Sequence, residues 1–529
     1  MMDKNTNQNE HIEESTLFGA PTSAETIGKR RKKSAIKRQR TAIIVIAAAI
    51  AAALPLYFFV VKPIVEYVEE QPEENIELLD GEVLAAGNRI LMYEHYERAD
   101  IEKIEVHNEH GEYSFYYDKK YDEFYITDHP LAPYDSEVFA SLVVNTGYTL
   151  VDERVHTACE DMSEYGLDGS QSPAYYTLTT RDGDSHTVYL GNLTASGAGY
   201  YARVEGRDAV YIVGSDIADT VLASIEELVT PQLTYLAGTN ASYFIEDFAI
   251  MDGKDSRVII THLDETEKAD AALTTSYAML APANYSVNTT NYSAVLEQLG
   301  NFTGSRTIAV GPSEETRAEY GLVESAHTVY FTYKGAEQIV FFSEKNENGD
   351  YYAYSPLFDL IAEVDAESAE WIGWDLIKWV DFPIFLMNIN DVKTITVDSD
   401  AINCVFDIDG EAKQIVVTER GSGFKPDVEN FRQFYKVLLS TYVQGYIADD
   451  LTDEEVAALI ADEPYLTLTV ETDAGKTTVY KYYPYSTRRA YYTVNGEGIF
   501  YAMRDMVTKI ITDCEKVMTD TAIDASAKS

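Results

Sequence analysis

The chain has 529 residues, 46% hydrophobic and 12% aromatic, which is enough to bury several cores and too long for one ordinary domain. Its formal net charge is −47 although residues 1–40 are basic, so the remainder is strongly acidic. An acidic surface repels nucleic acid, and we therefore expect no nucleic-acid partner.

The N-terminal region has the charge pattern of a membrane anchor. The basic run KRRKKSAIKRQR ends residues 1–40, and residues 41–61 follow without a charge. As a helix, residues 41–61 would extend about 30 Å, the thickness of a hydrocarbon core. We predict a single-pass protein of the cell membrane with a cytoplasmic N-terminus and its C-terminal bulk extracellular. A cleaved signal peptide is the alternative, but its apolar core would be shorter, about 7–15 residues.

Antiparallel strands are predicted from residue 88 onward. The acidic residues 62–87 come first and are predicted to form a stalk. Short runs of alternating Tyr, Val, Ile and Thr then lie between turn residues, as in Ala174–Gly191 and Thr328–Ser343. Such alternation is typical of strands with one buried face. Asp182-Gly183 and Lys334-Gly335 are placed to turn these two segments into hairpins.

The tetrapeptide EYGL occurs twice, at Glu164–Leu167 and Glu319–Leu322. We interpret it as one helical turn and its stop, because glycine accepts the left-handed conformation that ends a helix while Tyr and Leu pack beneath it. Later in the chain, AALI (Ala457–Ile460) takes the place of the tetrapeptide. The replacement favours a structural role for the tetrapeptide over a chemical one.

The tetrapeptide belongs to a longer repeat. Upstream of each copy are Leu-Ala-Pro and a helix, DSEVFASLVVN with Asp135 as its cap or NYSAVLEQLG. Downstream are a hairpin, a Tyr-Tyr pair and a predicted closing helix. A third, less similar copy has the helix Asp427–Thr441 after Pro426. The predicted closing helices are DIADTVLASIEELV (Asp216–Val229), PLFDLIAEVD (Pro356–Asp365) and FYAMRDMVTKIITDC (Phe500–Cys514).

The repeat predicts an α+β fold: a single N-terminal transmembrane helix followed by three repeated units of antiparallel β hairpins with two helices each. The predicted segments are a cytoplasmic basic tail at 1–40, the transmembrane helix at 41–61, the acidic stalk at 62–87, repeat units at 88–236, 237–381 and 382–518, and a polar tail at 519–529.

The succession of Leu-Ala-Pro, capped helix, EYGL, hairpin, Tyr-Tyr pair and closing helix resembles the bacterial domain-of-unknown-function family numbered 4340. The succession lies at residues 131–228 and 280–365, and in weaker form at 426–513. The resemblance implies a membrane-anchored extracytoplasmic protein that is auxiliary to a gliding-motility-type ABC transporter. It implies no catalytic residues.

No constellation of catalytic residues emerges from the sequence. His156 and Cys159 are three residues apart, but the other two units do not repeat them. The segment HNEHGEY contains His107, His110 and Glu112, and a hairpin turn explains it better than a metal site. We also interpret the acidic clusters, among them Asp407 to Gly410, as turns rather than calcium loops. We predict no catalytic residue, no cofactor-binding residue, no cofactor and no metal ligand.

These observations predict a non-enzymatic accessory or scaffold protein with an envelope protein partner of the ABC type. The membrane is a second predicted partner, through residues 41–61. The alternative is a cell-wall-binding module that uses its 40 tyrosines on glycan or peptide. The segment Lys481–Tyr492, with the basic Arg488 and Arg489, is one candidate surface for such contact. A hydrolase remains a further alternative.

Overall fold

The computed structural model describes residues 76–169, 173–270, 275–410 and 414–526. Residues Leu78–Ser529 belong to one compact unit. Within it, the described residues form three large antiparallel sheets. The predicted cytoplasmic tail, the predicted transmembrane helix at 41–61 and most of the predicted stalk lie outside the described residues.

Sheet 1 has ten strands and sheets 2 and 3 have eight each. The strands of sheet 1 are β1 Val83–Ala85, β2 Arg89–Leu91, β3 Ile101–Asn108, β4 Gly111–Asp118, β5 Glu123–Ile126, β6 Leu150–His156, β7 Ala174–Thr180, β8 Ser185–Leu193, β9 Gly199–Val204 and β10 Val210–Gly214. Those of sheet 2 are β11 Ile245–Asp252, β12 Asp255–His262, β13 Tyr277–Ala281, β14 Arg306–Val310, β15 His327–Tyr333, β16 Ala336–Phe342, β17 Tyr351–Ser355 and β18 Leu360–Val364. Those of sheet 3 are β19 Val392–Asp398, β20 Asn403–Asp409, β21 Val416–Glu419, β22 Val443–Tyr446, β23 Leu466–Thr472, β24 Thr477–Pro484, β25 Arg489–Val494 and β26 Phe500–Met503.

The three sheets share one strand order. Sheet 2 runs β13-β12-β11-β15-β16-β17-β18-β14, and sheet 3 repeats this order as β21-β20-β19-β23-β24-β25-β26-β22. Sheet 1 has the same order in β5-β4-β3-β7-β8-β9-β10-β6 and adds β2 and β1 beside β6. Strand β1 lies inside the segment predicted as a stalk. The predicted limits of the three units stay a prediction.

The described helices are short. They are α1 Ser136–Gly147, α2 Ser215–Leu222, α3 Ile225–Leu228, α4 Glu265–Asp270, α5 Thr289–Leu299, α6 Glu314–Glu319, α7 Leu376–Trp379, α8 Val428–Leu439, α9 Asp453–Ile460 and α10 Arg504–Met518. Further 3-10 turns are Arg98–Asp100, Ser163–Tyr165, Ala241–Phe244, Glu370–Gly373, Ile389–Asp391 and Ile447–Asp449.

These elements correct the predicted fold class. The described chain is mostly β-sheet rather than an even α+β mixture, because the sheets continue through segments predicted as helix. The transmembrane part of the prediction, and with it the single-pass description, is not supported. No helix within the described ranges combines the length and the apolar character needed to cross a bilayer.

The predicted closing helix of the second unit is wrong. Residues 356–359 form a turn, and the apolar run that follows is strand β18. This strand lies between β17 and β14, and four of its five residues are buried. A continuous apolar run suits a strand covered on both faces as well as a buried helix, so periodicity alone could not separate the two. In the third unit, Phe500–Met503 is likewise strand, and helix α10 begins only at Arg504.

The three predicted capped helices are present as α1, α5 and α8, and each packs on its own sheet. The Asp135 carboxylate accepts from two N–H groups of the first turn of α1, and Asp427 does the same for one N–H of α8. Phe139 of α1 lies 4.7 Å, ring centre to ring centre, from Phe115 of β4. Aromatic contacts of this kind recur between α5 and β11 and between α8 and β20. Each capped helix thus packs on one face of its own sheet.

Consecutive sheets are joined by hydrogen-bonded backbone rather than by a loose tether. In the linker between sheets 1 and 2, the Thr230 N–H donates to the Pro133 carbonyl of the first Leu-Ala-Pro at 2.8 Å. Three residues later, the Leu233 N–H donates to the Phe302 carbonyl at 2.8 Å. The linker between sheets 2 and 3 is bonded in the same manner, through the N–H groups of Asp381 and Ile384. Each linker is therefore held by both of the units that it connects.

Residues Thr521 and Ile523, near the end of the described chain, pack against helix α8. The Asn430 amide donates to the Thr521 carbonyl at 2.8 Å and accepts from the Ile523 N–H at 2.9 Å. The Ile523 side chain is buried. The described part of the predicted polar tail is thus attached to sheet 3.

Candidate functional site

Both EYGL motifs end a helical turn in the same way. The first begins within the 3-10 turn Ser163–Tyr165, and the second begins at Glu319, the last residue of α6. Gly166 and Gly321 have φ of +72° and +69°, in the left-handed region that glycine enters without strain. Leu167 and Leu322 are buried, and each N–H bonds to the carbonyl five residues earlier. That bond is typical of a Schellman stop, so the predicted helix stop is confirmed.

The tyrosine of each motif contacts the second tyrosine of the following Tyr-Tyr pair. Tyr165 and Tyr201 have ring centres 4.8 Å apart, and Tyr320 and Tyr352 have ring centres 4.7 Å apart, both edge to face. All four rings are only partly buried. The Leu of the motif thus packs inward, as predicted, and in the second motif Tyr320 is partly buried against the cluster that contains Leu322. We call the second contact the Tyr320–Tyr352 pair.

The Tyr320–Tyr352 pair lies at a cleft between sheets 1 and 2, the junction cleft, which has a volume of 680 Å³. Sheet 1 contributes the loop before α1 and the helix α3, and sheet 2 contributes β14 and the pair itself. The linker residues Val229, Thr230 and Pro231 form part of the lining. The volume is within the range of about 300–1,000 Å³ that is usual for ligand sites.

A second depression, of 390 Å³, is also lined by the same two rings. Its lining includes Glu319, Glu324 and Glu344. The Tyr320–Tyr352 pair therefore borders both cavities. Aromatic rings with one exposed face and a phenolic hydroxyl suit contact with a partner that is part apolar and part polar.

The basic group of the junction cleft is already neutralised. The Arg306 Nε donates to the Glu363 Oε2 at 2.7 Å, and this hydrogen bond raises the pKa of the Arg306 guanidinium. The Asn346 amide donates to the other oxygen of the same carboxylate at 3.1 Å. Arg306 therefore adds little net positive charge to the cleft.

Three carboxylates face the cleft from sheet 1. Asp135 caps α1, and Glu227 accepts from the Ser224 N–H at 2.9 Å. Within the described part of the chain, the Glu226 carboxylate has neither a hydrogen-bond nor an ion-pair partner. With Arg306 neutralised, the cleft carries a net negative charge and should attract a cationic or neutral group rather than an anion.

The Tyr320 hydroxyl stays protonated at neutral pH. Partial burial, followed by the charge of Glu319, raises the pKa of its phenol. The hydroxyl is therefore available as a hydrogen-bond donor to a bound partner.

The histidine and cysteine considered as a nucleophile and its base have other partners. The His156 Nε2 lies 2.7 Å from the Tyr165 hydroxyl, and the Cys159 thiol donates to the Asp161 carbonyl at 3.1 Å. His156 is thus hydrogen-bonded to the tyrosine of the first EYGL motif and does not act as a base for the Cys159 thiol.

The hairpin turn predicted for HNEHGEY is confirmed, whereas the turn predicted for Asp407 to Gly410 is wrong for Asp407 and Asp409, which lie on strand β20. His107 and Glu112 pair across the β3–β4 hairpin at 2.9 Å. Asp407 is ion-paired with Arg420, which lowers the pKa of the carboxylate. No group of three or more potential metal ligands occurs in the described ranges.

At the predicted basic surface of Arg488 and Arg489, an ion pair offsets the charge of one of the two arginines. Arg489 is ion-paired with Asp450, which also accepts from the Tyr485 hydroxyl at 2.5 Å. Arg488 is exposed.

The junction cleft was missed at the sequence level, although one signal pointed to it. The EYGL tyrosine and the Tyr-Tyr pair recur together in both units, and this joint recurrence is the signal from which a contact could have been predicted. Glu226 and Arg306 carry no such signal, because only the packing of two sheets brings them to the same cleft.

The comparisons with known proteins give one match. No curated protein and no solved structure matches the chain significantly. Residues 125–322, which include Asp135, α3, β14 and Tyr320 of the junction cleft, match the model of a family described as Domain of unknown function (DUF4340), and this match supports the family resemblance for that part of the chain.

Proposed function

We propose that the protein is a non-enzymatic accessory protein of the cell envelope, with its folded part outside the cytoplasm, that binds a protein partner in the junction cleft. The observation that carries the proposal is the cleft itself: the Tyr320–Tyr352 pair at one end, carboxylates on the opposite wall, and a backbone-bonded linker that holds both walls in place. A pre-formed site of this kind binds without first ordering its own walls.

The chemistry of the cleft favours a basic segment of the partner. A Lys or Arg side chain lying over a tyrosine face gains about 0.5–2 kcal/mol, depending on its desolvation. Glu226 supplies an uncommitted carboxylate for the same charge. We infer a partner loop or strand with one or two Lys/Arg residues beside apolar ones. The family resemblance points to a subunit of an ABC-type transport complex as that partner.

Contact with cell-wall glycan or peptide is the second candidate function. The half-exposed rings of the Tyr320–Tyr352 pair could stack on a sugar, and the neighbouring carboxylates could accept its hydroxyl groups. A neutral glycan would bind with little dependence on salt, whereas a basic protein segment would bind more weakly as salt rises.

Affinity purification of cleft variants tests the proposal. The full-length protein is purified from its own cells, and co-purifying proteins are quantified by mass spectrometry. Glu226→Lys and Tyr320→Leu should each reduce recovery of the ABC-type subunit about tenfold, corresponding to about 1.4 kcal/mol of binding free energy. The matched controls, Glu454→Lys and Tyr121→Leu, change an exposed carboxylate and an exposed ring elsewhere and should leave recovery unchanged.

Equal recovery with all four variants would exclude the junction cleft as the binding site. Sedimentation with isolated cell wall separates the two candidate functions. If the wild-type protein sediments with the wall and Tyr320→Leu does not, while no transporter subunit is recovered, the glycan or peptide function replaces the first proposal.

A further inference from the structure

Sheets 1 and 2 are joined by a contact that is separate from their linker. It begins in the loop between β5 and α1, where the His129 N–H donates to the Ile126 carbonyl at 3.2 Å and the Ala132 N–H donates to the His129 carbonyl at 3.0 Å. Ala132 is buried, so these two turns fix the position of His129 on sheet 1. The same loop continues to Asp135, which lines the junction cleft.

The His129 ring lies on Gly311, the residue that follows β14. A β-carbon on Gly311 would be 1.9 Å from the His129 Cε1, so the ring occupies the space that any larger residue would need. Gly311 also has a φ of +60°, which glycine adopts without strain. The His129 Nδ1 lies 3.7 Å from the Oδ2 of Asp359, the residue before β18. We call His129, Gly311 and Asp359 the His129 latch.

The part of the latch that belongs to sheet 2 is itself held by hydrogen bonds. The Gly311 N–H donates to the Asp359 carbonyl at 2.7 Å, which connects the end of β14 to the start of β18. The Asp359 carboxylate accepts from the Tyr354 hydroxyl at 3.1 Å. Because β14 and the loop before α1 both line the junction cleft, the latch joins two elements that lie on opposite walls of the cleft.

A corresponding contact occurs between sheets 2 and 3. There the Ile447 N–H, after β22, donates to the Ile499 carbonyl, before β26, at 2.8 Å. The ring that reaches this place is Tyr285, from the loop before α5. Its hydroxyl accepts from the Ile499 N–H at 3.1 Å, and its ring centre lies 5.2 Å from that of Phe500. In both junctions, an aromatic ring from the loop before the capped helix thus contacts the next sheet at the same point of the strand order.

We propose that His129 is a positioning residue for the junction cleft, and that its ring holds the two walls at the separation that the partner requires. This inference rests on the proposed function, since it concerns the same partner site. His129 is not among the residues that line the cleft. The linker fixes the junction at one place and the latch at a second, and two fixed places restrict a rotation of the sheets that one would permit. A site with walls already in place binds with less loss of conformational freedom.

Recovery of the partner tests the positioning role. Full-length variants are purified from their own cells, and the co-purifying ABC-type subunit is quantified by mass spectrometry. His129→Ala should reduce recovery about fivefold, because the walls lose their second attachment. His129→Phe should restore recovery, since it keeps a ring on Gly311. The matched control is Tyr285→Phe, which removes a hydroxyl from the second junction and should leave recovery unchanged.

Hydrogen exchange of the free protein tests the latch without any partner. In His129→Ala, the amides of residues 127–135 and 305–311 should exchange severalfold faster than in the wild type, while those of β7 and β8 should be unchanged. His129→Phe should show the wild-type pattern. Faster exchange throughout sheet 1 would assign His129 a role in the stability of that sheet alone, and would overturn the proposal.

A double variant tests the contact between the ring and the glycine. Gly311→Ala places a β-carbon against the His129 ring and should reduce recovery of the partner as strongly as His129→Ala does. The same change should have a much smaller effect in protein that already carries His129→Ala. The backbone strain at a positive φ is common to both proteins, whereas the collision occurs only where the ring is present.

The outcomes for the latch and for the proposed function are distinguishable. If the wild type recovers the partner and His129→Ala recovers as much, the latch has no positioning role. Unchanged exchange of residues 127–135 and 305–311 in His129→Ala also overturns the proposal. If the wild type recovers no partner, the proposed function fails. Hydrogen exchange then decides the latch alone, and faster exchange confined to those two segments supports it.

Discussion

Replacing Trp379 with alanine should lower the free energy of unfolding by about 3–5 kcal/mol, the usual cost of removing a buried aromatic side chain. Trp379 ends α7 at the linker between sheets 2 and 3 and is 0% exposed. Its ring lies 5.5 Å from Phe248 and 5.3 Å from Trp374, centre to centre. The cavity left by alanine would therefore open in the core of sheet 2, beside the linker that fixes sheet 3.

Two control variants provide a comparison for the destabilisation expected from Trp379→Ala. Trp379→Phe should cost less than alanine, because a ring remains and the buried indole N–H has no hydrogen-bond partner among the described residues. Trp374→Ala should also cost less, since Trp374 is only partly buried. Denaturant unfolding followed by circular dichroism measures all three. If Trp379→Ala lowers the free energy of unfolding by less than Trp374→Ala does, the packing described for the linker is contradicted.

The second large effect is expected at Glu82, in the segment predicted as a stalk. The Glu82 side chain is 0% exposed, and its carboxylate is ion-paired with Arg154 at 2.5 Å and accepts from the Tyr211 hydroxyl at 2.8 Å. It also accepts from the Leu79 N–H at 2.7 Å. These contacts attach the N-terminal segment to β6 and β10 of sheet 1.

Glu82→Ala should destabilise sheet 1 by roughly 3–5 kcal/mol, because it removes one partner of a buried ion pair and leaves the other in place. Glu82→Gln retains the shape and should cost less. Asp80→Asn changes an exposed neighbouring carboxylate and should have little effect. Thermal melts measure the three variants. If Glu82→Ala and Asp80→Asn have the same melting temperature, the N-terminal segment is not attached to the sheet as described.

Local structure was largely predictable from the sequence. The caps of α1 and α8 were identified from a single Asp before an amphipathic run, and the hairpins from a Gly in each turn. In both cases the signal lies within a few residues of the structure that it determines. The helix prediction for the β18 segment failed because a strand covered on both faces lacks the alternation of polar and apolar residues that distinguishes a strand from a helix.

Contacts between distant segments were not predictable in the same way. The Tyr320–Tyr352 pair joins two elements that the local pattern treats as independent. The order of the strands decides which elements become neighbours. The junction cleft is still harder to predict from the sequence, because it depends on how a linker holds one sheet against the next.

Photo-cross-linking from inside the cleft is the most direct test of the proposed function. A photoreactive amino acid is placed at Ser305, an exposed residue in the cleft lining, and in a control protein at Lys119, exposed at the tip of the β4–β5 hairpin. After irradiation of intact cells, we expect a covalent adduct with an ABC-type transporter subunit from position 305 and none from position 119. The same adduct from both positions, or only cell-wall glycan and peptide attached at position 305, would contradict the proposal.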